Sequence, residues 1–382
     1  MATAAPRRPR RLPRRVYLRR RVTVAVVAAV AVGGPVWAVA GPDGESAGPV
    51  PTTTTSAAPT TTAPSTTTTA DPLGSGNPVT IAFGGDVHFE RSIEARLLAD
   101  PSSVMALVAP TLSAADLAVV NLETAVTEGG TPAPKQFTFR APPAAFDALQ
   151  SAGVDVASVA NNHGMDYGVD GLEDTLDLAA SAGFPVIGAG RTEDEAYAPF
   201  RTTVDGQRIA VIAATQVLDD FLIDEWTAEG DEPGLASAKR VDRLVEEVRA
   251  AREDSDTVVV FLHWGVEQQS CPTEVQQDLA GDLVAAGADL VVGGHAHVLQ
   301  GAGMLGDAFV AYGLGNFTFM ERTPLSVNTG VLEVTVTGRR VDGYRFLPGV
   351  LVDGLHHPLE GDEADAALAY WDQLRECTDL DA

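Results

Sequence analysis

The stretch Val291-Val-Gly-Gly-His-Ala-His-Val-Leu-Gln300 indicates both the fold class and the position of a functional site. Its apolar, β-prone start predicts a buried strand, and the two glycines indicate a tight turn where that strand ends. His295 and His297 follow the turn with one residue between them. Because ligands of open α/β folds bind outside the carboxyl ends of strands, these histidines are expected where chemistry takes place. An isolated His-x-His pair is a weak signal, so its meaning depends on the other strand ends.

Four other predicted strands end in side chains that bind metals. The strands at 78–84, 117–120, 154–160 and 257–262 lead, in that order, to Asp86-Val-His88, Asn121-Leu-Glu123, Asn161-Asn-His163 and His263. Five of the seven histidines lie at these five strand ends, whereas His356 and His357 are expected in a solvated polar loop. Carboxylates mixed with imidazoles suit Mn, Fe, Zn or Co better than Mg or Ca. The pattern predicts two divalent metal ions, which at about 3.5–4 Å apart would bind the attacking and leaving oxygens of a phosphoryl transfer.

The remaining pattern predicts an α/β fold with mixed sheets. Strands alternate with helices, and Asp205-Gly206 between two apolar runs is a strong hairpin signal. One helical stretch is expected from the first strand to about Ala115. Further helices are expected at 143–152, 171–182, 238–253, 272–286 and 363–375. Hairpins together with strand–helix alternation favour mixed sheets over a purely parallel one.

The N-terminal part predicts export from the cytoplasm. Residues 1–21 contain nine arginines and no acids, which indicates a basic cytoplasmic segment. Residues 22–40 are apolar and, at about 1.5 Å per residue, form a helix just long enough to cross a bilayer core. The arginines place its N-terminus inside, so the C-terminal part is expected outside the cell. Ala38-Val-Ala40 also fits a cleavage site. The chain is therefore either anchored in the cell membrane by a single span or secreted after cleavage near Ala40.

A Thr/Pro/Ser-rich segment separates the apolar stretch from the folded part. Residues 41–77 cannot bury enough apolar surface to fold, and they predict a disordered stalk, either O-glycosylated or a plain spacer. One folded domain is then expected over residues 78–382. Its two cysteines, Cys271 and Cys377, predict a disulfide rather than a metal site because the chain is exported.

The charge of the chain restricts its partners. Outside residues 1–21 the chain has 17 basic and 52 acidic residues, which argues against nucleic acid as a partner. A polyanionic substrate would need a local cation, such as a metal ion, to overcome that charge. Lys135 and Arg140 are candidate anion binders in a protein poor in cations, with ordinary surface charge as the alternative.

Taken in order, the strand-end motifs resemble the calcineurin-like metallophosphoesterase pattern and, more narrowly, the capsule biosynthesis protein CapA family of poly-γ-glutamate assembly. The resemblance covers about residues 78–320 and rests on long motifs that recur in one order. They are Gly85-Asp86 with Arg91, Asn121-Leu-Glu123, Phe139-Arg-Ala-Pro142, Asn161 to Leu172, His263-Trp-Gly265, Gly294 to Gln300 and Tyr312-Gly-Leu-Gly-Asn-Phe317.

The resemblance implies a four-layer metallophosphoesterase-like sandwich of mixed β-sheets flanked by helices, and it assigns roles to residues. One metal would be held by Asp86, His88 and His297. The second would be held by Asn162, His263 and His295, with Glu123 bridging the two. His163 would be the leaving-group acid or transition-state stabiliser. Apart from the resemblance, Asp166 is expected either to orient His163 or simply to start the helix near Gly168, and Arg91, Lys135 and Arg140 are the predicted substrate-binding residues. Two departures from the family pattern are Glu rather than Asp at the bridging position and a histidine at position 88, which CapA-like proteins often lack.

The function implied is that of a cell-surface protein in the assembly of an anionic, poly-γ-glutamate-type capsule or envelope polymer. Its chemistry would be metal-hydroxide hydrolysis of a phosphoester or of an amide. One alternative is a non-catalytic scaffold that binds the polymer and helps a membrane synthase to export it. Another is a general secreted metal-dependent phosphodiesterase. The sequence leaves these three open.

Overall fold

The computed structural model describes residues 73–320 and 323–382. The predicted basic segment, the predicted membrane or signal segment and nearly all of the predicted stalk lie outside these residues. Among the described residues, no helix has both the length and the apolar character needed to cross a bilayer.

Strands and helices alternate along the described chain. The strands are β1 (Val79–Val87), β2 (Leu117–Leu122), β3 (Ala125–Val126), β4 (Arg140–Ala141), β5 (Val156–Ser158), β6 (Val186–Ile187), β7 (Ala189–Gly190), β8 (Phe200–Val204), β9 (Gln207–Thr215), β10 (Gly234–Leu235), β11 (Thr257–His263), β12 (Leu290–Gly294), β13 (Ala302–Leu305), β14 (Ala308–Ala311), β15 (Asn316–Thr318), β16 (Asn328–Thr337), β17 (Arg340–Val352) and β18 (Leu355–Pro358). The helices are α1 (Ser92–Ala99), α2 (Ala109–Leu112), α3 (Ala144–Ser151), α4 (Gly168–Ala182), α5 (Glu193–Tyr197), α6 (Ile223–Trp226), α7 (Val241–Asp254), α8 (Glu274–Ala286) and α9 (Gly361–Leu374).

Two large mixed sheets form the centre of the fold. The first has the order β18-β17-β16-β1-β2-β5-β6, with β15 also paired to β1. The second has the order β13-β14-β12-β11-β9-β8. In the first sheet β1, β2, β5 and β6 run parallel, and antiparallel pairing continues from β1 through β16 and β17 to β18. In the second sheet β9, β11, β12 and β14 run parallel, and β8 and β13 are antiparallel edge strands. Since parallel strands end at one edge of a sheet, this order brings the carboxyl ends of β1, β2, β5, β11 and β12 to one side of the molecule.

Three apolar clusters divide the fold into four layers. Alternate side chains of the strands point to opposite faces. Ile81 and Phe83 of β1 pack with Val211 of β9 and Phe261 of β11 between the two sheets. The other face of the first sheet packs on α1, α3 and α4, and the other face of the second sheet packs on α7 and α8. The predicted four-layer sandwich of mixed sheets flanked by helices is confirmed.

Local capping signals set several helix ends. Thr273 and Gln276 form a capping box that starts α8, and Gly287 ends it in the left-handed conformation that favours glycine. The single helix expected up to about Ala115 is instead broken after α1. Asp100 precedes Pro101 and is extended, with φ −160° and ψ 98°, because the proline ring disfavours the helical conformation of the residue before it.

The late histidines differ from expectation. Instead of lying in a solvated loop, both belong to β18, and His356 is only 4% exposed. Its ring lies 5.1 Å from that of Phe317, and burial lowers the pKa of His356 to about 4. Hydrogen bonding to β17 places it there, which a short polar-looking stretch does not reveal.

A disulfide joins the C-terminal segment to the second sheet's loops. Cys271, in the loop after β11, is bonded to Cys377 across a sequence separation of 106 residues. A link across so long a loop restricts the unfolded chain strongly. It fixes the end of the chain beside the loop that follows His263.

Candidate metal centre

Donor atoms from the strand ends converge on Glu123. The described residues form two groups whose donor atoms lie within 4.8 Å of one another: Glu123 with His263 and His295, and Glu123 with Asp86 and His297. Oε1 of Glu123 is 3.7 Å from Nε2 of His263 and 3.7 Å from Nε2 of His297. Two atoms that bind one ion at about 2.0–2.2 Å each lie no more than roughly 4 Å apart. Glu123 is therefore the residue that the two groups share.

Strand register explains the position of Asp86. It pairs with Asn316 on one side and Asn121 on the other. Nδ2 of Asn121 donates to Oδ1 of Asp86 at 2.8 Å and lies 3.1 Å from Nδ1 of His263. The carboxylate and the imidazole are thus oriented by one amide before any ligand binds.

Three amides around the centre were not assigned by sequence reasoning. Asn161 donates to Oδ1 of Asn121 at 3.0 Å and to the Leu122 carbonyl at 2.9 Å, and it accepts from the His163 amide at 3.0 Å. Asn316 Oδ1 lies 2.9 Å from Nδ1 of His297. Asn121, Asn161 and Asn316 each stand within a motif quoted above. The sequence feature that marks these three residues is a polar amide at or beside a strand of the quoted motifs.

The turn after β12 is strained at both histidines. His295 has φ 87° and His297 has φ 55°, a backbone region that non-glycine residues rarely adopt. Gly294 is required just before them, because a Cβ there would overlap Oδ1 of Asp86. The amide of His295 donates to Oδ2 of Asp86 at 3.0 Å. This strain is held by the surrounding structure and is typical of functional sites.

The electrostatics of the centre fit a cation. Glu123 is fully buried, and within the described part of the chain neither of its oxygens has a hydrogen-bond partner. Burial raises the pKa of Glu123 well above its usual value. Burial and the neighbouring histidines lower the pKa values of His263 and His295, which keeps both rings neutral and able to act as ligands. A buried carboxylate without partners, among neutral imidazoles, fits a divalent transition metal.

Metal affinity is expected to rise with pH up to about 9. Although burial alone would lower the pKa of His297, the carboxylates of Glu123 and Asp86 outweigh it and raise that pKa to about 9. Below this pH a metal must displace a proton, so affinity should rise by up to about tenfold per pH unit for each proton released. Calorimetric titration with Zn²⁺ at pH 6 to 9 in buffers of different ionisation enthalpy measures the proton release. Affinity that does not change with pH would contradict the expectation.

The two remaining predicted ligands are placed differently. Oδ1 of Asn162 lies 2.7 Å from Nε2 of His263, beside the group that contains His263 and His295. His88 belongs to neither donor group formed by the described residues. Its ring nitrogens lie 3.0 and 3.2 Å from the backbone amides of Glu90 and Met320. The ring packs against Phe319, with centroids 3.9 Å apart.

His163 and Asp166 form a pair that faces the centre. Nδ1 of His163 is 2.5 Å from Oδ2 of Asp166, and its Nε2 is 3.8 Å from Oε1 of Glu123. Asp166 also accepts from the amide of Phe139. Burial raises the pKa of Asp166 to about 7, while Lys135 opposes that rise. The carboxylate of Asp166 fixes the ring of His163 so that Nε2 points toward the carboxylate of Glu123.

Lys135 is engaged inside the protein. Its Nζ lies 2.8 Å from Oδ1 of Asp166, and it also donates to the Asn162 carbonyl. The same Nζ lies 5.1 Å from the ring centroid of Trp226. The structure therefore places Lys135 behind His163 and Asn162. Arg91 and Arg140 are exposed, and Cζ of Arg140 lies 4.7 Å from the ring centroid of Tyr167.

Replacing Lys135 by Met is expected to cost roughly 3–5 kcal/mol of unfolding free energy, because it leaves the buried carboxylate of Asp166 without its cation. Urea denaturation measures this cost. The control is Arg191→Met, whose exposed ion pair with Asp177 should contribute about 0–1 kcal/mol. Lys135→Met/Asp166→Asn should cost less than the sum of its single changes. Equal small losses for Lys135→Met and Arg191→Met would show that the buried pair is not coupled.

Comparison with known proteins finds one matching family. The family described as "Bacterial capsule synthesis protein PGA_cap" matches residues 80–321, which include every residue of the centre. The PGA biosynthesis protein CapA of Bacillus subtilis (strain 168) is 30% identical over 249 residues, 64% of this chain and 64% of that protein. The capsule biosynthesis protein CapA of Bacillus anthracis is 35% identical over 176 residues, 45% of this chain and 42% of that protein. The chain thus spans less than two thirds of the length of these curated relatives.

A solved structure similar to this chain is the sulfate thiohydrolase SoxB of Thermus thermophilus in complex with glycerol. It has a TM-score of 0.42 and 13% identity, and the match covers 78% of this chain and 60% of that one. The fold assignment rests on the observed sheet order and not on this score.

Proposed function

The chain belongs to the bacterial capsule synthesis protein PGA_cap family, and from that premise we propose that it is a metal-dependent phosphoester hydrolase acting in the assembly of a poly-γ-glutamate-type capsule or envelope polymer. The observation that supports the chemistry is the buried Glu123 carboxylate between two donor groups from separate strand ends. The polymer comes from the printed names of the relatives.

We assign two divalent ions of Mn, Fe, Zn or Co to the centre. Asp86 and His297, together with His88 as predicted from the sequence, would hold one ion. Asn162, His263 and His295 would hold the other, and Glu123 would lie between them. Bound divalent ions lower the pKa of water toward neutrality and stabilise charge on a phosphoryl group.

The chain's own residues supply orientation and a proton. Asp166 accepts from Nδ1 of His163 and stabilises the imidazolium form of the ring, whose Nε2 would protonate the oxygen that departs. Asn121 holds Asp86 and His263 in place. Phe139 stacks on His163 with centroids 4.0 Å apart and covers that side of the ring from water. These contacts position the acid before substrate arrives.

The location and partners extend the same proposal. Residues 22–40 would anchor the chain in the membrane, or direct its secretion if cleaved near Ala40, with the stalk holding the domain outside the cell. A membrane-bound polymer synthase would then be its partner. This part rests on the sequence, since residues 1–72 lie outside the described part.

The test compares the full chain with the variant Asp86→Ala/His297→Ala. Elemental analysis should find about two metals per wild-type chain, and both metal and phosphodiester turnover should be lost in the variant. Asp362→Ala/His357→Ala, which changes the same residue types away from the centre, should retain both. Full turnover without metal would refute the proposal. Turnover of a γ-glutamyl amide instead of a phosphodiester would show that the protein hydrolyses an amide bond and not a phosphoester bond. Unchanged polymer export by the metal-free variant in cells would favour the scaffold.

A further inference from the structure

A groove of about 350 Å³ lies beside the centre, on the other side of an aromatic wall. Three chain segments form it: the end of β1 with the residues after it, the loop before β4, and the end of β15 with the residues that follow. Its lining residues are His88, Glu90, Arg91, Gln136, Phe137, Thr138, Phe139, Phe319 and Met320. Both polar and apolar side chains are present, which suits a ligand that is itself amphipathic.

Two rings separate this groove from the catalytic groups. Phe139 stacks on His163, with ring centroids 4.0 Å apart, and Phe319 packs on His297 at 4.6 Å. The same two rings contact His88, which lines the groove. A chain bound in the groove would therefore lie about one ring away from His163 and His297. That distance suits a part of the substrate that is bound but does not react.

Arg91 places an available cation on this groove. Within the part of the chain that the structure describes, its guanidinium has no hydrogen bond or ion pair. The other two predicted anion binders are engaged, Lys135 by Asp166 and Arg140 by the ring of Tyr167. Arg91 also has φ 59° and ψ −117°, a conformation rare outside glycine. Strain of this kind is typical of residues that the fold holds in position for function.

An acid and an exposed ring complete the surroundings of Arg91. The carboxylate of the adjacent Glu90 accepts from the amide of Arg140 at 2.9 Å and is held toward β4. Phe137 is 43% exposed and is one of eight large apolar side chains that are exposed among the residues the structure describes. A cation and an apolar ring thus line the same groove.

We propose that this groove is a subsite for a non-reacting glutamyl unit of the substrate chain, whose carboxylate binds Arg91 and whose methylene groups pack on Phe137. The inference rests on the proposed function, because it takes as substrate a phosphoester that carries the anionic polymer chain. Arginine binds carboxylates with two parallel hydrogen bonds, and each γ-linked glutamyl unit carries one carboxylate beside a short methylene run. Binding remote from the reacting bond helps to position that bond at the centre.

Binding of a γ-linked glutamate decamer to the full chain, measured by calorimetry, tests the subsite. Arg91→Ala is expected to weaken binding by about tenfold or more, since a hydrogen-bonded ion pair is lost. Arg91→Lys should restore part of the affinity, and Phe137→Ala should weaken binding by a smaller factor. The control is Arg249→Ala, which removes the same charge from the exposed side of α7 and should leave the affinity unchanged. A γ-linked glutamine decamer, which lacks the carboxylates, should bind weakly to every variant.

Two results would overturn the subsite. They are equal affinity of wild type and Arg91→Ala, and equal binding of the glutamine decamer. The metal content of Arg91→Ala should equal that of wild type, which separates this test from that of the hydrolase. If metal and turnover fail while Arg91-dependent binding holds, the hydrolase is wrong and the subsite stands. If turnover needs the metal but Arg91 has no effect on binding, the subsite is wrong and the hydrolase stands.

Discussion

Replacement of Glu123 by Gln is expected to remove metal from both halves of the centre and to abolish turnover. The carboxylate lies 3.7 Å from one histidine of each donor group, so both groups depend on it. An amide keeps the shape but carries no charge to offset the cations. Loss of a residue that only orients a ligand costs about 10- to 100-fold in metal affinity or activity. Loss of a ligand shared by two ions should cost more than that.

The same substitution separates metal binding from folding. Without metal, Glu123 is a buried acid with no hydrogen-bond partner among the described residues, so metal-free Glu123→Gln should unfold at the same temperature as metal-free wild type or higher. Added metal should stabilise only the wild type, by about 2.7 kcal/mol at a concentration 100 times its Kd.

Thermal unfolding of both proteins, with chelator and with Mn²⁺ or Zn²⁺, measures this difference. Glu94→Gln, which changes an exposed acid of α1, should behave as wild type does. Retention of two metals by Glu123→Gln, with an unchanged rise in unfolding temperature, would show that Glu123 does not bridge.

The sequence predicted the mixed sheets and the strand ends because both follow from local patterns, whereas the four layers were implied by the family resemblance. Apolar runs such as 257–262 mark buried strands, and parallel strands bring their carboxyl ends together. The five strand ends therefore could be expected to meet. The break after α1 depends on the single residue Pro101, and the residues around it favour a helix. The helical pattern therefore hides the break.

Contacts between side chains of residues distant in sequence could not be predicted from local sequence patterns. Asn121 orients Asp86 because β1 and β2 pair with a particular register and a local irregularity. Lys135 reaches Asp166 from a loop without a regular pattern, so its sequence context fitted an anion binder at the surface equally well. His356 is buried by hydrogen bonding between β17 and β18. In each case a contact between residues distant in sequence determines the role.

Replacement of His163 by Asn is expected to leave the metal content unchanged and to reduce turnover by about 10²- to 10⁴-fold, the usual contribution of a positioned acid. His163 belongs to neither donor group formed by the described residues. Its Nδ1 is held by Asp166, and its Nε2 lies 3.8 Å from Oε1 of Glu123. An acid is needed only when the leaving group is a poor one. Esters of p-nitrophenol, whose anion departs without a proton, should therefore lose much less turnover than alkyl phosphodiesters.

The loss of turnover on alkyl phosphodiesters, divided by the loss on esters of p-nitrophenol, distinguishes a proton donor from a residue that only supports the fold. Asp166→Asn should shift the ratio in the same direction, because a neutral amide no longer stabilises the imidazolium whose Nε2 carries the proton. His357→Asn, at a partly exposed position of β18, should alter neither substrate class. Loss of metal in His163→Asn would make His163 a ligand. Equal losses for both leaving groups, with metal retained, would assign it to stabilising charge on the phosphoryl oxygens. Only unequal losses agree with a proton delivered from Nε2, and they would show that the pair behind the bridging carboxylate takes part in the reaction.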